Sequence, residues 1–279
     1  MLRREHCLKL TAIKMLRNFA IICLRFLKKT EKLIPVRTKK DIEAMRRAGR
    51  ALAQVVDRLR SSLKCGMTTI EVDRLGEDFI EKQGAKPAFK GYRGYPCAVC
   101  TSINQEIVHG IPSQRKIKDG DILSIDVGLV IDGWFADMAF TKGFGNLDAR
   151  RQKLVEVTEA SLYKGIAQMV AGKYLSDVGF AIQSFVEPFG FSIVRDFVGH
   201  GIGRSLHEDP EVPNFGLPCS GPILKEGMVF AIEPMVNMGT ARTKICDDHW
   251  TVVTCDGQPS AHFEHTVAIT SNGPEILTQ

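Results

Sequence analysis

The sequence lacks a long hydrophobic run. Its longest apolar stretch near the start, Phe19 to Leu24, is ended by Arg25, whereas a membrane-spanning helix needs about 20 apolar residues. No clear small-residue cleavage site, as in a secretory signal, follows before Lys28 and Lys29. We therefore expect no membrane anchor and no secretion.

Beyond residue 34 the chain also lacks an excess of positive charge. The formal net charge is +5, but residues 1–34 hold nine Lys and Arg against Glu5 and Glu31. The rest of the chain has 28 basic and 30 acidic residues. A nucleic-acid groove would need a basic patch on the folded part, so we expect no specific DNA binding.

The excess of positive charge belongs to residues 1–34, which we predict to be a disordered basic extension. No linker rich in Pro, Gly or Ser follows, so residues 35–279 are predicted to be one domain. The extension has two alternative interpretations. It could be an organellar transit peptide, or an upstream start with Met15 as the working initiator. We predict a cytoplasmic protein, with organellar targeting by residues 1–34 as the alternative.

Paired cysteine motifs are scarce. The eight cysteines are dispersed, and only Cys97 and Cys100 have ligand-like spacing. A structural zinc site needs four ligands, and no second Cys-x-x-Cys completes one. We expect a reducing compartment, with both thiols lining or backing a pocket.

Helical and extended patterns recur in one order. Thr38 with Asp41, and Thr68 with Glu71, predict the capped starts of two helices, which Gly66 and Gly84 would end. Extended segments follow to about residue 141. The pattern then predicts helices over about 148–172 and 176–190 and strands over 192–199, 228–236, 249–255 and 263–270. Two helix pairs, each followed by strands, predict a duplicated α+β fold with antiparallel sheet.

Two acids are predicted to meet on a hairpin. Residues 122–141 have the pattern of two strands joined at Asp132-Gly133, a strong two-residue turn signal. This turn would place Asp126 opposite Ala139 and make Asp137 its diagonal neighbour, within about 8 Å. Carboxylates this close repel each other unless they share a proton or hold a cation. The pair therefore predicts a metal site or a carboxyl dyad.

A histidine and two more acids extend this set. His200 stands at a predicted strand end between glycines, where backbone can approach a ligand closely, and His207 follows it. Glu233 and Glu264 lie inside apolar, strand-like runs, although carboxylates are almost never fully buried unless paired. Four acids and one imidazole suit a pair of divalent ions such as Mn, Fe(II), Co or Zn.

Five short motifs together indicate a family. They are His109-Gly-Ile-Pro, Asp126 with Asp137, Gly-His200-Gly-Ile-Gly, Ile-Glu233-Pro-Met and Phe-Glu264-His-Thr. In order and spacing they resemble the type I methionine aminopeptidases of peptidase family M24, over about residues 36–277. The resemblance implies a duplicated "pita-bread" α+β fold and a catalytic domain over 35–279. It also implies removal of the initiator methionine from nascent polypeptides, with preference for a small second residue.

The resemblance also implies a ligand set for two divalent metal ions, with Co, Mn, Fe(II), Zn or Ni as candidates. Asp137 and Glu264 would bridge the ions. Asp126 would complete one ion, and His200 with Glu233 the other. A water activated by both ions would then attack the scissile carbonyl.

Further roles follow from the same resemblance. Glu233 would take the proton of the water and pass it to the leaving amine, His207 would donate a hydrogen bond to the oxyanion, and His109 would hold the substrate amide. The methionine pocket would consist of Tyr92, Tyr95, Cys100 and Trp250, because soft and aromatic surfaces suit a thioether. The pattern departs from that of relatives at Phe89, Leu206 and His262.

Two other functions compete with this interpretation. A prolidase or aminopeptidase P would share the five ligands, but such proteins usually carry a large N-terminal domain. An adaptor for RNA or the ribosome would have lost ligands, and all five are present. We expect a monomer that acts on nascent N-termini, with transient ribosome contact.

Overall fold

The computed structural model describes residues 33–279. They contain two helix pairs and a set of short antiparallel strands. The helices are α1 (Lys39–Ser62), α2 (Thr69–Lys82), α3 (Ala149–Ile166) and α4 (Ser176–Val186). The predictions for the basic extension fall almost wholly outside the described residues and stay predictions, as does the domain boundary at residue 35.

The first two helices begin at their predicted caps. The Thr38 hydroxyl accepts a hydrogen bond from the Asp41 N–H at 3.2 Å, and the Asp41 carboxylate accepts one from the Thr38 N–H at 3.0 Å. Thr68 and Glu71 form the same reciprocal pair. Such a box satisfies N–H groups that the first helical turn leaves free, and both predicted starts are confirmed.

Three helices end before their predicted limits. α1 ends at Ser62 because Leu63 is extended and buried. α3 ends at Ile166 rather than about residue 172, and the following turn buries Met169 completely. α4 ends at Val186 and continues as a short 3₁₀ turn, Glu187–Phe189.

The described strands pair in antiparallel fashion throughout. The first group is β1 (Lys86–Pro87), β2 (Val99–Ile103), β3 (Glu106–Val108), β4 (Ile122–Ile131) and β5 (Trp134–Gly143). The second group is β6 (Ser192–Ile193), β7 (Gly199–Gly201), β8 (Glu208–Val212), β9 (Val229–Ile232), β10 (Met235–Asn237), β11 (Thr243–Ile245), β12 (Val252–Thr254), β13 (Ser260–His262), β14 (His265–Thr270) and β15 (Gly273–Ile276). The longest strand order is β15-β14-β9-β7-β8.

Two predicted strands are interrupted. The segment 192–199 contains only β6 and the first residue of β7. The segment 228–236 divides at Glu233-Pro234 into β9 and β10, because proline has no N–H to donate to a sheet. The predictions of continuous strands were therefore wrong at both places, and β8, β11, β13 and β15 were not predicted.

The core lies between the helix pairs and the sheets. Phe140 on β5 and Phe230 on β9 are fully buried in it. Within the described range, none of the helices has the length and apolar character to cross a membrane. The helix pair followed by strands recurs as predicted, so the duplicated antiparallel α+β architecture is confirmed.

Candidate metal centre

The β4–β5 hairpin positions two aspartates. Asp132 and Gly133 both have positive φ, 51° and 74°, which a tight turn between right-twisted strands requires. The resulting register places Asp126 opposite Ala139 and Asp137 opposite Gly128. The predicted diagonal relation of the two aspartates is confirmed.

Glu264 joins this hairpin to the second half of the chain. Its N–H donates to the Ala139 carbonyl at 2.9 Å, so Ala139 lies between Asp126 on one side and Glu264 on the other. His265, the next residue, pairs with Ile232 at the end of β9. That pairing puts Glu264 and Glu233 at adjacent strand ends, rather than inside strands as predicted.

His200 lies at the centre of the three-residue strand β7, not at a strand end. Its Nδ1 is 2.9 Å from the Gly201 carbonyl, so Nδ1 carries the proton and Nε2 is left with a lone pair. Nε2 is 3.5 Å from Glu233 Oε1. A side chain at Gly201 would place its Cβ 2.3 Å from the Asp209 carbonyl, so this close strand approach requires glycine.

These five side chains, Asp126, Asp137, His200, Glu233 and Glu264, are called here the ligand cluster. One set of ligand atoms, from Asp137, His200 and Glu264, lies within 4.8 Å of one another. A second set, from Glu233, His262 and Glu264, meets the same limit. Glu264 belongs to both sets. Asp126 belongs to neither, although it lines the same cavity.

The cluster contains buried polar atoms without partners. Among the described residues, Asp126 Oδ1 and Glu264 Oε1 are buried and accept no hydrogen bond. A buried oxygen that has lost its water and gained no partner costs about 1–3 kcal/mol. Carboxylate oxygens and an imidazole nitrogen are suitable ligands for divalent cations, so the donor set fits a metal centre.

Burial raises the pKa of every acid in the cluster. Desolvation raises the pKa of Asp126 and of Glu233 to about 7. Desolvation and the neighbouring carboxylates raise the pKa values of Asp137 and Glu264 well above the ordinary range. The acids therefore hold protons near neutral pH until a cation replaces them.

A second group of side chains, the ring cluster, consists of Tyr92, Tyr95, His109, His207 and Trp250. His207 stacks on Tyr92 with ring centroids 5.3 Å apart, and its Nδ1 is 3.0 Å from the Tyr92 hydroxyl. Its ring centroid lies 4.2 Å from that of His200. The two clusters are therefore in contact.

The two histidines of the ring cluster, His109 and His207, are neutral. Desolvation is the main cause that lowers the pKa of His109 to about 4 and of His207 to about 3. His109 has a positive φ of 59°, and its ring meets Trp250 edge-on at 6.4 Å. Both histidines are thus uncharged at neutral pH and can each donate one ring hydrogen.

Both clusters line one cavity of about 130 Å³. Every residue that the sequence assigned to the site lines it, including Cys100, which pairs with Asp126 across β2 and β4. Burial raises the pKa of Cys100, so its thiol is neutral. Cys97 is half-buried and is absent from the lining.

Sequence reasoning missed two residues near the site. Arg93 lines the cavity from the 3₁₀ turn Tyr92–Gly94, and no pattern indicated it. His262, noted only as a departure from relatives, has its Nε2 3.6 Å from Glu233 Oε2. Its spacing of two residues from Glu264 was an available signal, since alternate residues of an extended segment share a face.

The chain has close relatives of known family. A sequence profile of Metallopeptidase family M24 matches residues 43–271. The methionine aminopeptidase of Clostridium perfringens is 52% identical over 246 residues, which cover 88% of this chain and 99% of the relative.

Solved structures share the fold. The methionine aminopeptidase of Thermotoga maritima has a TM-score of 0.87 at 47% identity and covers 88% of this chain and 100% of its own. The prolidase of Pyrococcus horikoshii OT3 has a TM-score of 0.70 at 22% identity, covering 88% and 63%; at that identity it shares the fold alone. The predicted "pita-bread" fold is confirmed.

Proposed function

Because the chain belongs to metallopeptidase family M24 and, within it, to the type I methionine aminopeptidases, we propose that it removes the initiator methionine from nascent proteins and peptides. A small second residue is preferred. Membership of a metallopeptidase family means that divalent metal is used. We propose that the enzyme uses two such ions.

The ligand cluster holds the cations. Asp137 and Glu264 would contribute to holding both ions, Asp126 would contribute to one ion, and His200 with Glu233 would contribute to the other. When bound, the cations supply an activated water and polarise the scissile carbonyl. The observation that supports this assignment best is that Asp126 Oδ1 and Glu264 Oε1 are buried with no hydrogen-bond partner among the described residues.

The chain's own groups move the protons. Glu233 accepts the proton of the attacking water and passes it to the leaving amine. We assign the Tyr92 hydroxyl, 3.0 Å from Nδ1 of His207, as the donor in this contact, which puts the ring proton of His207 on Nε2. That N–H donates to the oxyanion as it develops, and His109 holds the substrate amide.

The cavity wall receives the methionine side chain. Tyr92, Tyr95, Cys100 and Trp250 offer aromatic and neutral sulfur surfaces, which contact a thioether favourably. Tyr95 is fixed by its hydroxyl, which donates to the Gly110 carbonyl at 3.0 Å. A rigid wall of this kind selects side chains by shape.

The proposal is tested by comparing two peptides on metal-loaded enzyme. We expect release of methionine from Met-Ala-Ser. We expect no cleavage of the second peptide, in which the first residue is not Met and the second residue is Pro. The opposite preference would support a prolidase or aminopeptidase P, with which this chain shares a fold. If neither peptide is cleaved, the adaptor function is the better explanation.

The setting of the activity is also proposed. The enzyme acts as a cytoplasmic monomer on N-termini that emerge from the ribosome, with transient ribosome contact. Gel filtration with light scattering and ribosome cosedimentation test these two points.

A further inference from the structure

His262 is a buried imidazole with no evident structural task. It ends β13, where its N–H donates to the Thr141 hydroxyl at 2.9 Å and its carbonyl accepts from the same hydroxyl at 2.8 Å. The residue is 1% exposed. Neither ring nitrogen has a hydrogen-bond partner among the described residues, although the great majority of buried side-chain polar atoms in proteins have one.

His265, three residues later, shows what a structural histidine looks like in the same segment. It is also buried, but its Nδ1 is 2.8 Å from the Thr278 hydroxyl and its Nε2 is 3.5 Å from the Tyr163 hydroxyl. His265 is therefore hydrogen-bonded within the protein, whereas neither ring nitrogen of His262 has a hydrogen-bond partner among the described residues. The contrast indicates that His262 Nε2 is kept available for a group other than a protein side chain.

The surroundings of His262 identify that group. Its Nε2 lies 3.6 Å from Glu233 Oε2, while His200 Nε2 lies 3.5 Å from Glu233 Oε1. A side-chain hydrogen bond is not made at the 3.6 Å that separates His262 from Glu233. Two ligands that are each about 2.1 Å from one cation, however, lie roughly 3 to 4 Å apart. Glu233 thus has an imidazole at ligand spacing beside each of its oxygens.

We propose that His262 is a sixth ligand of the metal centre, which binds through Nε2 the cation that Glu233 and Glu264 also hold. The inference rests on the proposed function, because it assumes that the ligand cluster holds cations. A second imidazole makes the centre softer. Imidazole suits Zn, Fe and Ni, whereas carboxylates suit Mn and Mg, so His262 shifts the preference of the centre away from Mn.

Proton NMR of the cobalt-loaded protein tests the ligand role directly. An imidazole bound to Co(II) shows its remaining ring N–H as a strongly shifted, exchangeable signal. We expect two such signals in the wild type, from His200 and His262. His262→Gln should retain one, because an amide keeps polarity but is a poor ligand. The matched control His265→Gln should retain both.

Metal affinity provides the second readout. His262→Gln should weaken the binding of Co(II) or Zn(II) at one of the two positions by at least about tenfold, and weaken Mn(II) less. A single shifted signal in the wild type would overturn the proposal without any variant, and two signals that persist in His262→Gln would overturn it as well. Bound cobalt with no shifted imidazole signal at all would instead contradict the proposed metal centre.

Discussion

The ligand cluster and the ring cluster line one cavity but satisfy their polar atoms in opposite ways. In the ligand cluster, Asp126 Oδ1 and Glu264 Oε1 are buried and have no partner within residues 33–279. In the ring cluster, Tyr95 donates to a carbonyl and His207 pairs with Tyr92. Two oxygens of the first cluster therefore lack a partner that a cation would supply, whereas Tyr95 and His207 of the second cluster already have partners within the protein. Changes in the first should remove metal and activity together, and changes in the second should alter only the reaction.

The largest effect should come from Glu264, which both ligand sets contain. We expect Glu264→Ala to lose at least one of the two cations and to lower kcat/KM by more than about 100-fold. Mutation of a residue that only supports a metal ligand lowers activity by up to about 100-fold, so a larger loss is expected for a ligand itself. Metal content and steady-state rates check this. Glu275→Ala, which removes a surface partner of Arg46, is the control and should keep both. A Glu264→Ala enzyme with two ions and a normal rate would show that the bridge is misassigned.

The next effect belongs to His207. An interaction that strengthens in the transition state raises kcat, while one that is equal in both states changes only KM. His207→Ala should therefore lower kcat by about 100-fold, as for one oxyanion donor, with little change in KM or metal content. His109→Ala should raise KM as well, because it disturbs substrate placement.

Tyr92→Phe sharpens this test, since it removes only the hydroxyl that orients His207. It should lower kcat less than His207→Ala does. If His207→Ala instead lost metal while kcat per occupied site stayed normal, His207 would be a ligand or a support of one, and its assigned role would be wrong.

A smaller effect concerns pH and stability. Because burial raises the folded-state pKa of Asp126 and Glu233 to about 7, these two carboxyls hold protons in the metal-free folded chain that they lose in the unfolded chain between about pH 4 and 7. Their contribution to the free energy of unfolding should fall as pH rises through this window, whereas His109 and His207, whose pKa values burial lowers to about 4 and about 3, contribute in the opposite sense below about pH 6.5. Cations replace the protons, so the melting temperature of the loaded protein should fall less.

Thermal unfolding at pH 5.5 and 7.5, with and without cation, measures this difference. The Asp126→Asn variant should show a shallower fall when metal-free. A metal-free Asp126→Asn variant whose stability changed across the window as that of the wild type does would contradict the picture of buried acids that hold protons.

The smallest effect is expected from the basic extension. Every residue of both clusters lies beyond it, so deletion of residues 1–34 should change kcat/KM on a short peptide by less than about tenfold. A larger loss would mean that the extension contributes to the site. A reporter fused to residues 1–34 that entered an organelle would contradict the cytoplasmic localisation.

The hairpin half of the site could be predicted because its geometry is local. Asp132-Gly133 defines the turn, and the alternation of a strand then places Asp126 and Asp137 on one face. The capped starts of α1 and α2 were predictable for the same reason, since each depends on residues three positions apart.

The other half depends on contacts that sequence spacing does not contain. Glu264 reaches the aspartates through its pairing with Ala139, and Glu233 through the pairing of Ile232 with His265. The resemblance to a family supplied these ligands, but it could not show that they stand at strand ends. It also gave no reason to include His262, because its relation to Glu233 depends on the packing of β13.

The count of cations bound by the ligand cluster tests the account most directly. Metal-free protein is titrated with Co(II) or Mn(II) without air, while bound metal and turnover on a Met-Gly-Met peptide are followed together. We predict two cations per chain, no turnover after exhaustive dialysis against chelator, and recovery as the cations bind. Undiminished turnover after that dialysis, or full binding in a chain carrying Asp137→Ala and Glu264→Ala, would contradict it.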